Sequence, residues 1–272
     1  IAQCLVGSEM CIRDRFMMTP SASAPAVIES GDNVFQICFT DPNQGVASAD
    51  YIAENKLGTK VGIIYDSSDA YSSGIYEKFK AEAAAKNLEI VTAEAFTADN
   101  KSDLSTQVAK CQQAGADLVF LPIYYQEASQ ILIAANKSGY APVFFGCDGM
   151  DGILTIEGFD TSLAEGLLLM TPFSADDEKN ADFVNAYKDK YGDTPDQFAA
   201  DAYDGVHAVA EAVKEAGLGV DADPTEVAEK LSKAMLKITV DGLTGKLTWN
   251  DKGQVQKEPT AYVITDGKYV QA

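Results

Sequence analysis

The sequence predicts an α/β protein of two lobes, one of them a doubly wound and mostly parallel sheet. Three observations predict it. Between Lys60 and Phe145, short apolar runs alternate with stretches whose apolar residues recur at helical spacing; such alternation needs right-handed crossovers and a sheet covered on both faces. The chain has 272 residues, 46% of them apolar, close to the length at which one core stops growing and a chain divides. Breaks at Pro42 and Pro172 bracket the periodic stretch, so the segments outside it are expected to share the other lobe, with the chain crossing between lobes more than once.

The elements follow in order. Met17 to Pro25 is small, hydroxyl-rich and bracketed by prolines, which reads as a loop after a strand end with free backbone amides and hydroxyls at Ser21 and Ser23. Val34–Phe39 reads as a buried strand, Asp41-Pro42-Asn43-Gln44-Gly45 as its break, and Val46–Leu57 as a helix. Strands are expected at Val61–Tyr65, Leu88–Val91, Leu118–Pro122 and Val143–Phe145, with helical stripes at Ile75, Phe79 and Ala83, at Leu104, Val108 and Cys111, and over Glu127–Ser138. A strand at Gly166–Met170 stops at Pro172, and helices follow at about 178–191, 198–216 and 224–236, the last opened by a first-turn proline. The tail, with Lys246–Trp249, Ala261–Ile264 and the turns Asn250-Asp251-Lys252-Gly253 and Thr265-Asp266-Gly267-Lys268, reads as short strands joined by turns.

The first fifteen residues differ from the rest. They hold both arginines, Arg13 and Arg15, and two of the five cysteines, Cys4 and Cys11; every later basic side chain except His207 is lysine. The string from Cys4 to Arg15 looks like a translated sequencing adapter, with a genuine strand and turn as the alternative. Residues 1–15 are therefore expected to be foreign, the chain to be N-terminally truncated, its export signal to be missing and its first lobe to be incomplete.

Charge and composition exclude several classes. With 41 acids against 21 bases, the net charge of −20 repels nucleic acid and anionic lipid. No run of about 18 apolar residues is present to span a membrane. The cysteines show neither a CxxC pair nor metal-ligand spacing. The one histidine, His207, falls mid-helix, and no GxSxG, GxxxxGK[ST] or GxGxxG occurs; the sequence reads as a binder, not an enzyme, with no cofactor and no metal. The stretch Val143 to Gly152 supplies the leading site candidate: an apolar strand stops at Gly146 and delivers Asp148 into a loop. Ligands of open parallel sheets bind beyond the carboxyl ends of strands, although Asp-Gly is also ordinary turn chemistry. Asp151, three residues on, offers a weak metal pair with Asp148.

The strand ends form an ordered series: Tyr65-Asp66-Ser67-Ser68-Asp69-Ala70-Tyr71-Ser72-Ser73-Gly74, Pro122-Ile123-Tyr124-Tyr125-Gln126-Glu127 and Gly146-Cys147-Asp148-Gly149, with Thr19-Pro20-Ser21-Ala22-Ser23 upstream and Tyr191-Gly192-Asp193-Thr194-Pro195-Asp196-Gln197-Phe198 downstream. From about Thr19 onward the chain resembles the leucine/isoleucine/valine-binding family of extracytoplasmic solute-binding proteins that serve ABC importers. That resemblance implies a type I periplasmic binding protein fold, each lobe a doubly wound mostly parallel sheet, with three hinge crossings. Lobe 1 is expected from residues 16–41 plus 172–250, and lobe 2 from 42–171 plus 251–272. It implies that the ligand's carboxylate is held by Ser21, Ala22 and Ser23, its ammonium by Asp148, and the cleft walled by Tyr71, Tyr124 and Phe198. The three aromatics are equally readable as packing residues, and the serines as turn residues. Past residue 15 no arginine is available to grip a carboxylate, so hydroxyls and amides must do it, at roughly 1.5 to 3 kcal/mol per charge-assisted bond. Asp148 departs from the family pattern, in which glutamate is common.

The expected protein is a monomer that binds a branched-chain or similar amino acid between hinged lobes, closes on it, and docks on an ABC permease and its ATPase. Its place is outside the cytoplasm, in the periplasm or lipid-anchored at the cell surface. The alternative is a ligand-sensing receptor domain with the same fold and another small polar solute.

Overall fold

The computed structural model describes residues 15–257 and 259–272. The expected foreign segment, residues 1–15, lies outside the described residues except for Arg15. The chain divides into two compact units. Unit 1 runs to Thr40 and resumes over Phe198–Glu258; unit 2 comprises Asp41–Gln197 and Pro259–Ala272. Crossings therefore fall at 40/41, 197/198 and 258/259.

Unit 2 is built on a sheet whose central strands the sequence makes apolar on both faces. β3 (Lys60–Asp66), β4 (Glu89–Phe96), β5 (Leu118–Leu121), β6 (Val143–Gly146) and β7 (Leu168–Thr171) run parallel, and β11 (Thr260–Thr265) and β12 (Lys268–Gln271) add antiparallel to the β7 edge, giving the order β12-β11-β7-β6-β5-β3-β4. All four residues of β5 are buried. Leu118 and Phe120 enter one hydrophobic core, and Val119 and Leu121 the other. Successive side chains of a strand point to opposite faces, so this division shows a sheet covered on both sides. The covering helices are α2 (Asp41–Asn55) and α3 (Ala70–Ala85), whose Ala49, Ile52, Ile75 and Phe79 join one core, and α4 (Ser105–Gln113) and α5 (Tyr125–Ser138), whose Val108, Cys111, Ile131 and Leu132 join the other. The β11–β12 hairpin turns on Asp266 and Gly267, both at positive φ (52° and 70°), the combination that two-residue hairpin turns require.

Unit 1 carries a parallel pair, β1 (Met17–Thr19) with β2 (Val34–Gln36), separated by the short helix α1 (Pro25–Ile28). β8 (Val240–Gly242), β9 (Gly245–Trp249) and β10 (Val255–Gln256) form an antiparallel ribbon. Helices α7 (Gln197–Ala216) and α8 (Pro224–Met235) bury Ala208, Ala212, Leu231 and Met235 with Phe35, Ile37, Leu247 and Trp249. Gly253 holds a positive φ of 75° and passes so close to the Val34 carbonyl that a side chain would collide with it, while its own carbonyl accepts the Gln36 N–H at 3.1 Å.

Two expectations shift. The predicted break at Asp41–Gly45 is the first turn of α2: Pro42 lies where no helical N–H is needed, and Asp41 puts an acid at the positive end of the helix. The second and third crossings fall at 197/198 and 258/259, later than the 171/172 and 250/251 read from the sequence. Residues after Pro172 stay with unit 2 because they are tied to its antiparallel strands: the Tyr269 N–H donates to Asp176 Oδ2 at 3.0 Å and the Tyr262 hydroxyl to Asp177 Oδ2 at 2.9 Å. Phe173 then packs edge-on against Phe183 of α6 (Ala181–Tyr191), 6.1 Å between ring centres.

Candidate functional site

β6 ends at Gly146, and the chain turns at once into a single 3-10 turn, Asp148–Met150. Asp148 is 6% exposed. Its Oδ1 accepts the Tyr71 hydroxyl at 2.7 Å, and the same hydroxyl oxygen accepts the Gly149 N–H at 2.9 Å. The Asp148 N–H donates to Gln44 Oε1 at 3.2 Å, and its carbonyl accepts Gln197 Nε2 at 3.1 Å. Tyr71, in the first turn of α3, stacks on Tyr124, the residue before α5, with ring centres 4.9 Å apart and 23° between planes. A side chain at position 149 would meet the Tyr71 hydroxyl and the Ile123 carbonyl within about 3 Å, so glycine is what lets the turn close on the tyrosines.

Burial pushes the Asp148 carboxyl above its ordinary range, and the Tyr71 hydroxyl opposes that by donating to the charged form. Burial and then the neighbouring Asp148 charge raise the Tyr71 phenol far up, so it remains a donor. Tyr124, 39% exposed, is pushed up to about 12 by burial and by nearby Asp69. Asp151 is also buried; its Oδ2 accepts the Gln197 backbone N–H at 2.6 Å and its Oδ1 the Gly152 N–H at 3.0 Å. Among the described residues no lysine lies within ion-pair distance of Asp148 or Asp151, and no group of three or more His, Cys, Asp or Glu is placed to hold a metal ion.

Of the predicted site residues, Tyr71, Tyr124 and Asp148 are brought together in unit 2. Ser21, Ala22, Ser23 and Phe198 belong to unit 1. There Ser21 is exposed, Ser23 buried and Phe198 half-buried at the start of α7. The Ala22 amide, expected to be open, donates to Thr19 Oγ1 at 2.8 Å, a local hydroxyl turn that the short side chains of this loop allow. His207 is exposed on α7 beside Tyr203, with ring centres 4.4 Å apart. Sequence reading missed Gln44 and Gln197, since an amide gives no periodic signal and both lay inside segments read as a break and a boundary. A groove of about 640 Å³ between α4 and α5, walled by Leu104, Val108, Ile133 and Lys137, contains none of the predicted residues.

A parallel sheet that presents a buried carboxylate, stacked tyrosines and fixed amides beyond its strand ends is the architecture of a small-ligand binder. The chain belongs to the periplasmic binding protein family, whose model matches residues 10–268. It is similar to the Leu/Ile/Val/Thr-binding protein of Salmonella typhimurium, 30% identical over 242 residues that make up 88% of this chain and 63% of the relative. The Leu/Ile/Val-binding protein of Citrobacter freundii is 29% identical over the same share of each. The chain thus spans about 63% of the length of these curated relatives. Among solved structures it is similar to a leucine-binding protein from Thermotoga maritima, with a TM-score of 0.80 and 25% identity over 94% of this chain and 72% of that one. It is also similar to a branched-chain amino acid transporter substrate-binding protein from Streptococcus pneumoniae in complex with isoleucine, with a TM-score of 0.80 and 27% identity over 93% and 70%. The fold is that of these type I periplasmic binding proteins.

Proposed function

We propose that this chain is the extracytoplasmic binding component of an ABC importer and that its ligand is a branched-chain or similar amino acid. The observation that carries the reading is Asp148: a carboxylate buried at the carboxyl end of a parallel strand, oriented by Tyr71 and lacking a lysine partner among the described residues. An ammonium ion is the ligand group that such a carboxylate best receives, because it answers the uncompensated charge while the Tyr71 bond fixes the receiving oxygens. The names of the similar proteins, leucine- and Leu/Ile/Val-binding, support the aliphatic amino acid. Following the resemblance read from the sequence, the ligand's carboxylate is assigned to Ser21, Ala22 and Ser23, the Ala22 amide exchanging its bond to Thr19 Oγ1 for the ligand, and its side chain to Tyr71, Tyr124 and Phe198. The partner is a membrane permease with its ATPase, reached from the periplasm or from a lipid-anchored position on the cell surface, with the binding protein a monomer.

Calorimetric titration with leucine, isoleucine and valine tests this. Saturable binding to at least one is expected, together with a loss of at least about 30-fold on Asp148→Asn, since removing one partner of a buried charge pair costs about 2 to 5 kcal/mol. Binding to none of the three, or wild-type affinity in the variant, contradicts the reading.

A further inference from the structure

We infer that Gln44 and Gln197 are positioning residues for the ammonium anchor, and that they set the preference for ammonium-bearing ligands by tying Asp148 to two of the points where the chain changes unit. The inference rests on the function proposed above and assigns a part of the binding apparatus that the resemblance does not. Gln44 lies in the first turn of α2, three residues past the 40/41 crossing, and Gln197 is the last residue before the 197/198 crossing. Each is 1% exposed. Between them they hold both peptide groups of the anchor residue: Gln44 Oε1 takes the Asp148 N–H at 3.2 Å and Gln197 Nε2 reaches the Asp148 carbonyl at 3.1 Å. The Gln197 backbone is itself held, its N–H donating to Asp151 Oδ2 at 2.6 Å.

Without these bonds the Asp148 backbone would be restrained by its own turn, in which the Asp151 N–H returns to the Asp148 carbonyl at 3.0 Å, and by the Gly149 N–H on the Tyr71 hydroxyl, and the peptide before Asp148 would lose its only side-chain tie among the described residues. Tyr71 fixes the side chain and, through the Gly149 N–H, the peptide plane that follows it, but not the plane that precedes it. A receiving carboxylate works only if it stands where the ligand's charge arrives, and small misplacements are costly. The two glutamines thus make the position of the ammonium site depend on the backbone beside two crossings. Ordering at that site and at those crossings then becomes one event.

Simple burial of two amides would also make the glutamines matter for stability, so the test must read something burial alone does not move. Gln44→Met and Gln197→Met keep the length of the side chain and remove its hydrogen bonds. The readout is the ratio of affinities for leucine and for 2-hydroxy-4-methylpentanoate, which keeps the carboxylate and isobutyl group and has a hydroxyl in place of the ammonium. Each variant is expected to lower that ratio by about five- to tenfold, as a displaced hydrogen-bonded charge contact would. Gln36→Met is the control: this buried glutamine of unit 1 donates to the Cys38 carbonyl at 3.2 Å, and its loss should leave the ratio unchanged. Unchanged ratios in both Gln44→Met and Gln197→Met, or an equal fall in Gln36→Met, would overturn the inference while leaving the amino-acid reading intact. A parental chain that binds neither compound would overturn that reading and the inference with it.

Discussion

Asp201 of unit 1 and Asp148 of unit 2 are both buried carboxylates, and their charges are answered in opposite ways. In unit 1, Asp201 of α7 receives Lys257 Nζ at 3.0 Å, with both side chains only 1% exposed, and Lys257 also donates to Thr244 Oγ1 at 3.0 Å and lies 5.1 Å from the centre of the Phe39 ring. Asp204, one turn further along α7, caps the β8–β9 turn by accepting the Leu243 N–H, the Thr244 N–H and the Thr244 hydroxyl at 2.7 to 2.9 Å. In unit 2, Asp148 and Asp151 receive a phenol and backbone amides, and among the described residues no lysine. A buried carboxylate with its own cation is satisfied by the fold. Asp204 is satisfied without a cation because three donors fill its two oxygens, whereas the Asp148 carboxylate, oriented by the Tyr71 phenol and without a lysine among the described residues, keeps a charge that an incoming cation can answer.

The comparison breaks most visibly if the internal cation is removed. Lys257→Met leaves Asp201 buried beside an apolar chain, and is expected to destabilise the protein by about 3 to 5 kcal/mol in chemical denaturation, the cost of orphaning one member of a buried ion pair. Pairing it with Asp201→Leu should return most of that loss, since an apolar pair of similar volume carries no stranded charge. If the single change proved harmless, the lysine would not be what satisfies unit 1.

Unit 2 should respond to pH through its buried carboxyls. Burial first, and then nearby Asp196, push the Asp151 carboxyl up to about 7, against the pull of the Gln197 and Gly152 amides. An unfolded aspartate titrates near about 3.9. Between these values the folded state binds more protons than the unfolded one, so stability falls as pH rises through the window and levels off above about 7. Asp148, raised in the same direction, adds to the effect. Thermal melts should therefore show a decline worth about 2 kcal/mol from pH 5 to pH 7.5. Asp151→Asn should flatten most of it, and an unchanged slope in that variant would show that the titration belongs to the diffuse −20 charge of the chain.

How legible all this was in the sequence follows from how far apart the partners lie. β3, β5 and β6 could be read locally, because a fully buried parallel strand is a short apolar run with no polar face, and the helical spacing of Ile75, Phe79 and Ala83 marked α3 in the same way. Asp148 could be picked out as the residue delivered by a strand end, whereas Tyr71 and Tyr124 stood out only through the family resemblance and were equally readable as packing aromatics. The donors that hold Asp148 were not: Gln44 is 104 residues away and Gln197 is 49 away. Lys257 and Asp201, 56 apart, likewise carried no local mark. Pro42 misled because a proline in a first helical turn and a proline that ends a strand look alike in sequence. The later crossings were displaced because what keeps residues 172–180 with unit 2 is a set of hydrogen bonds to β11 and β12, about 90 residues downstream.

The smallest change sharpens the comparison most finely. Tyr71→Phe deletes one oxygen and leaves the ring that stacks on Tyr124. It removes the donor to Asp148 Oδ1 and strands the Gly149 N–H, so a loss of about 1 to 2 kcal/mol in stability is expected. The more informative effect is on charge. That hydroxyl is a force lowering the Asp148 carboxyl against the push of burial, so without it the carboxyl rises further. An ammonium ligand needs the charged form, so leucine affinity should weaken as pH falls and the pH of half-maximal affinity should move upward in the variant. Titrations of both proteins from pH 5 to pH 8 measure the displacement. Coincident curves would mean that neutral donors do not govern the Asp148 charge, and the contrast with the lysine-paired Asp201 of unit 1 would lose its binding consequence.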